Sequence, residues 1–174
     1  MTDIHDAAQR GFSREALTYE RGRPEYPAAL ESWLTRDLWI GPGTCVVDLG
    51  AGTGKFTRLL AATGADVIAV EPLEAMRAQL GERLPQVRAL PGVAEAIPLP
   101  PDSVDVLVCA QAFHWFATRS ALADMHRVLR PGGRLGLIWN VRDESVDWVA
   151  EITRIITPYE GSATRYYKGD WRQP

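Results

Sequence analysis

Apolar residues along the chain follow two alternating rhythms. Five short runs rich in Val, Leu and Ile, at Thr44–Leu49, Asp66–Val70, Val87–Leu90, Val104–Cys109 and Arg134–Trp139, are almost continuously hydrophobic. Runs of that length and make-up predict strands of a parallel sheet covered on both faces. Between them apolar positions recur every three or four residues, which predicts helices. Phe56, Leu59 and Leu60 form one stripe with Gly64 as its stop; Leu73, Met76, Leu80 and Leu84 form the next, with Pro72 at the first helical position. Ala121, Leu122, Met125, Val128 and Leu129 form a third, closed by Pro131-Gly132-Gly133, and Val146, Val149, Ile152 and Ile156 a fourth. Leu30, Trp33, Leu34 and Leu38 predict a helix leading into the first strand, while Val93–Asp102, with Pro98, Pro100 and Pro101, reads as loop. Strand and helix in alternation are the pattern of an α/β layered domain.

Composition narrows the class. A chain of 174 residues suffices for one domain, and 46% apolar with 24% charged residues is the balance of a globular protein. Nineteen basic against twenty-two acidic residues leave a net charge of −3, which argues against a nucleic-acid binder with a basic face. No apolar run approaches the ~18 residues of a membrane span. The opening MTDIHDAAQR lacks the charged-then-apolar layout of a secretory signal. The expectation is a cytoplasmic protein with neither nucleic acid nor membrane as partner. Cys45 and Cys109 are too few for a disulfide framework or a thiolate metal site, and no metal is expected. Placed early in the first strand and late in the fourth, the two thiols stand roughly 13 Å apart at the usual strand rise. That is beyond a disulfide's reach, so both are expected to be free.

The segment Val46-Val47-Asp48-Leu49-Gly50-Ala51-Gly52-Thr53-Gly54-Lys55 follows a strand and opens a helix. A tight glycine turn at that place lets backbone N–H groups face a ligand. Gly50, Gly52 and Gly54 make G-x-G-x-G rather than the dinucleotide pattern G-x-G-x-x-G, and no Gly-Lys-Ser/Thr closes a phosphate loop. Asp48, two residues before the first glycine, would repel a pyrophosphate and attract an ammonium group. Glu71 ends the second run, where an acid accepts hydrogen bonds from ribose hydroxyls. S-adenosylmethionine suits both acids, having a ribose and adenine but an amino-acid end and a sulfonium instead of phosphates. The plainer alternatives are a helix-terminal charge complement for Asp48 and a solvated acid for Glu71. Both acids are read here as meeting ligand groups rather than core partners.

Four segments, in order, resemble the class I S-adenosylmethionine-dependent methyltransferases over residues 44–140. Asp48-Leu49-Gly50-Ala51-Gly52-Thr53-Gly54 looks like the family's first motif, and Val70-Glu71-Pro72 like its ribose site. Ala94-Glu95-Ala96-Ile97-Pro98-Leu99-Pro100 followed by Ser103-Val104-Asp105 looks like the adenine-side loop entering strand four. Arg127-Val128-Leu129-Arg130-Pro131-Gly132-Gly133 resembles the turn before strand five. The nearest subgroup is the small-molecule, type 11 one that includes trans-aconitate methyltransferase-like proteins and quinone-biosynthesis C-methyltransferases. The resemblance implies a Rossmann-like three-layer sandwich with parallel strand order 3-2-1-4-5, S-adenosyl-L-methionine as cofactor and a small-molecule acceptor. It implies that Gly50, Ala51, Gly52 and Thr53 meet the methionine portion, Glu71 and Pro72 the ribose, and Ala94 and Glu95 the adenine. Met76 would pack near the cofactor, and Ala110 and Gln111 would flank the methionine and sulfonium. Val93 stands where many relatives carry an acid or hydroxyl, which passes the adenine amino contact to Glu95 or a backbone carbonyl.

His114, in Ala110-Gln111-Ala112-Phe113-His114-Trp115-Phe116, is the candidate general base, on the carboxyl side of the sheet where α/β folds bind ligands. The competing reading, a hydrogen-bonded wall residue of the cofactor pocket, is favoured. Phe113, Trp115 and Phe116 wall an apolar acceptor site or belong to the core, and His126 and His5 read as surface residues. Tyr19-Glu20-Arg21-Gly22-Arg23-Pro24-Glu25-Tyr26-Pro27 resembles a lid over the cofactor, with Arg23 able to pair with a carboxylate. Residues 1–40 are therefore expected as lid and lead-in helix, and residues 41–174 as the cofactor-binding domain, cut short at its C-terminus. The family's strands 6 and 7 are expected to be missing. Strand five would then be an edge exposing Leu135, Leu137, Ile138 and Trp139, open to self-association. The expected activity is methyl transfer to a carboxylate, hydroxyl or carbon. A catalytically silent cofactor-binding domain is the alternative, and a nicotinamide-dependent oxidoreductase the third reading.

Overall fold

A computed structural model describes residues 26–160 and 166–173. The elements run α1 (Leu30–Arg36), β1 (Cys45–Leu49), α2 (Thr57–Ala62), β2 (Asp66–Val70), α3 (Glu74–Arg83), β3 (Arg88–Leu90), β4 (Val104–Ala110), α4 (Arg119–Val128), β5 (Leu129–Ile138) and α5 (Asp147–Ile156). Single 3-10 turns lie at Phe113–Trp115, Thr157–Tyr159, Tyr166–Lys168 and Asp170–Arg172. The sheet has the order β3-β2-β1-β4-β5 with every neighbouring pair parallel. This is the class I methyltransferase arrangement, and no strand follows β5 among the described residues.

Period-two alternation sorts the strand side chains into two cores. Val46, Val67, Ala69, Val106 and Val108 pack with Leu34 and Leu38, Phe56 and Leu60, and Leu80. Val47, Leu49, Ile68, Val70, Leu107 and Cys109 pack instead against Ala121, Met125 and Val128 of α4 and against Ala94 and Ile97 of the loop before β4. That loop is pinned by α4, where Asp124 accepts from Ile97 N and Arg127 donates to the carbonyls of Ile97 and Leu99. Asp105 accepts from Cys45 N and pairs with Arg130, tying β4 to its neighbours. The segments that resembled an adenine-side loop and a turn thus carry much of the internal bracing of this half of the molecule.

Strands one, three and four differ from expectation by one residue at an end, and three other boundaries differ as well. Pro72 lies two residues ahead of α3, with Leu73 in extended backbone between them. β5 starts at Leu129, so Arg130-Pro131-Gly132-Gly133 is an irregularity inside the strand rather than the stop of α4: β4 advances from Val104 to Val106 while β5 advances from Leu129 to Arg134. Gly132 takes a positive φ of 81° there, which permits the bulge. Trp139 falls just outside β5. The β5 edge is also less bare than expected: Leu135 is 37% exposed, but Ile138 is buried and Trp139 lies against Tyr166 and Trp171. α5 buries none of its residues, leaving Trp148, Ile152 and Ile155 exposed.

Asp48 is level with Val108, which sets Cys109 beside Leu49 and four residues above Cys45; both cysteines are free. Arg23, His5 and most of the expected lid lie outside the described residues. Tyr26, in the segment expected as a lid, packs edge-on against Phe56, ring centroids 5.0 Å apart. No helix among the described residues is long and apolar enough to cross a membrane.

Candidate cofactor site

The glycine loop leaves β1 at its carboxyl end, and four of its amides are engaged within the fold. Gly50 N and Ala51 N both donate to Val70 O, Gly52 N donates to a Glu71 carboxylate oxygen at 2.9 Å, and Gly54 N donates to Ala51 O. The expectation that these N–H groups face a ligand is therefore corrected. Those four bonded amides set the loop apart from an anion-binding nest. Gly50 and Gly52 hold φ of 74° and 57°, and a Cβ on Gly50 would stand 2.7 Å from Ala112 Cβ. Gly52 faces Met76 Sδ, 3.8 Å from where its Cβ would be, so Met76 does line the loop. Gly54 serves packing: a Cβ there would meet Leu80 Cγ at 2.9 Å. Ala51 and Thr53 are buried.

Glu71, 5% exposed, accepts from Gly52 N with Oε2 and from Leu73 N with Oε1. Burial raises its carboxyl, while those N–H donors and the Arg77 charge pull it back. Arg77 itself holds the carbonyls of Glu71 and Pro72 at 2.7 and 2.6 Å. A carboxylate has room for about four acceptor contacts, so Glu71 keeps capacity for ribose hydroxyls beyond the two bonds it makes.

Asp48 has the core partner that sequence reading denied it. Its Oδ2 accepts from Thr57 Oγ1 at 2.6 Å, and its Oδ1 is buried without a partner. Burial pushes the carboxyl up to about 7, with the Glu71 charge adding to the rise and the Thr57 hydroxyl opposing it. Thr57, the missed residue here, is the first of α2 and fully buried. A polar residue opening a helix looks like an ordinary cap, so the sequence held no distinct signal for it.

On the adenine side, a Cβ on Gly92 would stand 2.9 Å from Val70 Cγ1, which shows how closely the loop approaches the end of β2. Ala94 is buried in the core, and Glu95 accepts from Thr118 Oγ1 at 3.3 Å. Beyond β4, Ala110 is half-buried and Gln111 adopts a φ of 57°, the left-handed region that a non-glycine residue seldom enters. Its N donates to Ile138 O and its side-chain amide to Asn140 O. Such strain clusters at functional positions. His114 is 9% exposed, and its Nδ1 accepts from Trp139 Nε1 at 3.0 Å. Trp139 stacks with Tyr166 and Trp171, both at 4.7 Å, and Trp171 meets Phe113 edge-on. Sequence reading placed Trp139 in the strand and missed Tyr166 and Trp171. Their contacts cross the chain from its far end, and no local pattern announces them.

The residues present fit S-adenosylmethionine: an open Gly52, a buried acid with spare acceptor capacity where a ribose is expected, and an orphaned buried carboxylate oxygen beneath the loop. Comparison with known proteins agrees. The methyltransferase-domain family matches residues 47–137. An uncharacterized methyltransferase-like protein of Schizosaccharomyces pombe is 40% identical over 163 residues, covering 93% of this chain and 64% of its own. An uncharacterized methyltransferase of Mycobacterium tuberculosis is 51% identical over 145 residues, covering 83% and 58%. Among solved structures, a SAM-dependent methyltransferase from Aquifex aeolicus superposes with a TM-score of 0.61 at 23% identity, over 84% of this chain and 88% of that one, a likeness of fold. The chain thus spans about three fifths of the length of the two curated relatives.

Proposed function

The chain belongs to the methyltransferase-domain family, class I and S-adenosylmethionine-dependent, and on that premise we propose that it transfers a methyl group from S-adenosylmethionine to a small molecule. The observation that carries the reading is the glycine loop with four of its amides already engaged, set between two buried acids. When bound, the cofactor supplies an electrophilic methyl on a sulfonium for in-line displacement, in which positioning provides much of the rate. Gly52 leaves space for the methionine portion, Gly50 lets the loop close against Ala112, Glu71 receives the ribose, and Met76 packs behind it. Ala94 and Glu95 border the adenine, and Ala110 and Gln111 the sulfonium side.

The wall role for His114 is supported over the base role. The one lone pair of a neutral imidazole, here at Nδ1, is engaged by the Trp139 N–H. A proton-accepting role would require that bond to break. An acceptor that needs no base suits such a ring, and among carboxylate, hydroxyl and carbon acceptors that is a carboxylate oxygen. Whether the site belongs to the trans-aconitate-like subgroup follows from the same measurement. The chain is incubated with methyl-labelled cofactor and a panel of small carboxylic acids, phenols and carbon acids. Label in a methyl ester is the expected product; label only in phenols or carbon acids overturns the carboxylate reading. No label in any acceptor despite cofactor binding favours the catalytically silent alternative. Self-association through the β5 edge is also proposed, on the exposed Leu135, and a strictly monomeric light-scattering profile would remove it.

A further inference from the structure

Asp48 occupies a place built for a neutral side chain. It is level with Ala69 of β2 and Val108 of β4, on the strand face that carries Val46 into the apolar core. It is 1% exposed, has a single hydroxyl donor in Thr57, and leaves Oδ1 without a partner. An ionised carboxylate so placed has one neutral hydrogen bond for two charged oxygens, a costly arrangement in a low-dielectric core. Of the titratable groups coupled to it, one adds to that cost and the other offers no charge to offset it. From the end of β2 comes Glu71, another acid, and from β4 comes Cys109, whose own thiol is pushed up by burial and by the Asp48 charge. Among the described residues, α2 brings it the Thr57 hydroxyl; of the cations bracketing Thr57 in sequence, Lys55 is half-buried and Arg58 exposed.

S-adenosylmethionine brings a sulfonium and an ammonium against one carboxylate, and so a net positive charge. A cation entering next to a buried acid favours the ionised form. We propose that Asp48 holds a proton in the ligand-free protein and surrenders it to solvent when the cationic cofactor enters, so that cofactor binding is linked to pH through this one buried side chain. This rests on the cofactor reading given above. The O–H bond of the Asp48 carboxyl breaks, the proton passes to buffer, and the carboxylate becomes the counter-charge the cofactor meets. Acidification then weakens cofactor binding by mass action of protons.

Titration calorimetry of the whole chain with S-adenosylmethionine at pH 7, in phosphate and in Tris, reads the linkage directly because the two buffers differ widely in heat of ionisation. The expected result is a buffer-dependent heat that corresponds to release of about half a proton, as for a group near its midpoint. Affinity should fall toward tenfold per pH unit in the acid limb. Asp48→Asn should bind with the same heat in both buffers and with a flat pH profile. Equal heats for the unmodified chain, or undiminished proton release in Asp48→Asn, overturns the inference and leaves the cofactor reading intact. Failure of the unmodified chain to bind overturns both. Carbon-13 carboxyl resonances of Asp-labelled protein need no variant: one should titrate near neutrality without ligand and sit at its ionised position at the same pH with cofactor. All Asp resonances fully ionised at pH 6 without ligand would sink the idea.

Discussion

At the β1–β2 end of the sheet, the glycine loop and Glu71 are held by backbone: Val70 O takes two loop amides, and Glu71 takes the amides of Gly52 and Leu73. At the β4–β5 end, His114 is held by Trp139, which is held in turn by Tyr166 and Trp171 from the end of the chain. The first region is made from residues within one strand–loop–strand unit. The second is assembled from rings far apart in sequence. Backbone ties fix a site whose ligand is common to a family, while side-chain stacking is easily rebuilt by substitution. The two regions thus differ in how they are held, one by backbone bonds and the other by stacked side chains.

The comparison breaks first at Asp48, where the expected effect is largest. The native state holds a proton there up to about pH 7, whereas an ordinary Asp loses it near 3.8. Because the native state binds more protons than the unfolded chain between those values, this group's contribution to stability falls as pH rises from about 4 to 7. The gap of about three pKa units corresponds to about 4 kcal/mol, an order-of-magnitude figure. Asp48→Asn should remove that fall, so its stability relative to the parent rises across the same window. Urea unfolding at pH 5 and pH 8 checks it; parallel pH profiles would show that the buried carboxyl is not protonated.

Gly50→Val comes next. Its φ of 74° disfavours any Cβ, and one placed there would stand 2.7 Å from Ala112. Left-handed strain and overpacking together should cost about 2–4 kcal/mol and abolish cofactor binding. Gly132→Ala, at a φ of 81° with open space around it, should cost only the strain, about 1–2 kcal/mol, and leave binding untouched. If the two variants lose stability equally by urea unfolding, the close approach of the β4 loop to Gly50 is wrong. Glu71→Gln tests the same half more gently. Losing a charge-assisted acceptor should weaken S-adenosylmethionine ten- to a hundredfold, or about 1.5–3 kcal/mol. Calorimetric affinity within twofold of the parent would remove Glu71 from the ribose site.

What the sequence made legible follows the same divide. The five strands were readable because parallel strands buried on both faces, such as Val46-Val47 and Val104–Cys109, leave apolar runs that little else produces, whereas their order came from the family resemblance alone. Glu71 was legible as well, since its position relative to the glycines fixes where it must lie. Asp48 was half legible: its nearness to the loop was plain, but its burial depends on Thr57 and on the walls provided by Ala69 and Val108. The start of β5 was hidden because Arg130-Pro131-Gly132-Gly133 has the composition of a turn and is nonetheless carried in the strand by a bulge. At the β4–β5 end, nothing local to His114 specifies Trp139, and nothing local to Trp139 specifies Trp171.

Trp139→Phe is the smallest expected effect and the sharpest test of that far half. A phenyl ring keeps the stacking with Tyr166 and Trp171 and deletes only the N–H donated to His114 Nδ1. One neutral hydrogen bond is worth about 0.5–1.5 kcal/mol net, so the midpoint of urea unfolding should move slightly. Cofactor affinity should hold, because Trp139 is absent from the contacts of Gly50, Gly52 and Glu71. His114→Ala removes the ring itself and should weaken cofactor binding along with turnover if His114 is a wall of the pocket. The pair of variants separates the roles. Should Trp139→Phe raise turnover at saturating cofactor while His114→Ala lowers turnover alone, the freed Nδ1 is acting as a base. His114 would then be a proton acceptor rather than a wall of the cofactor pocket, and the carboxylate reading of the acceptor would give way to one that requires deprotonation.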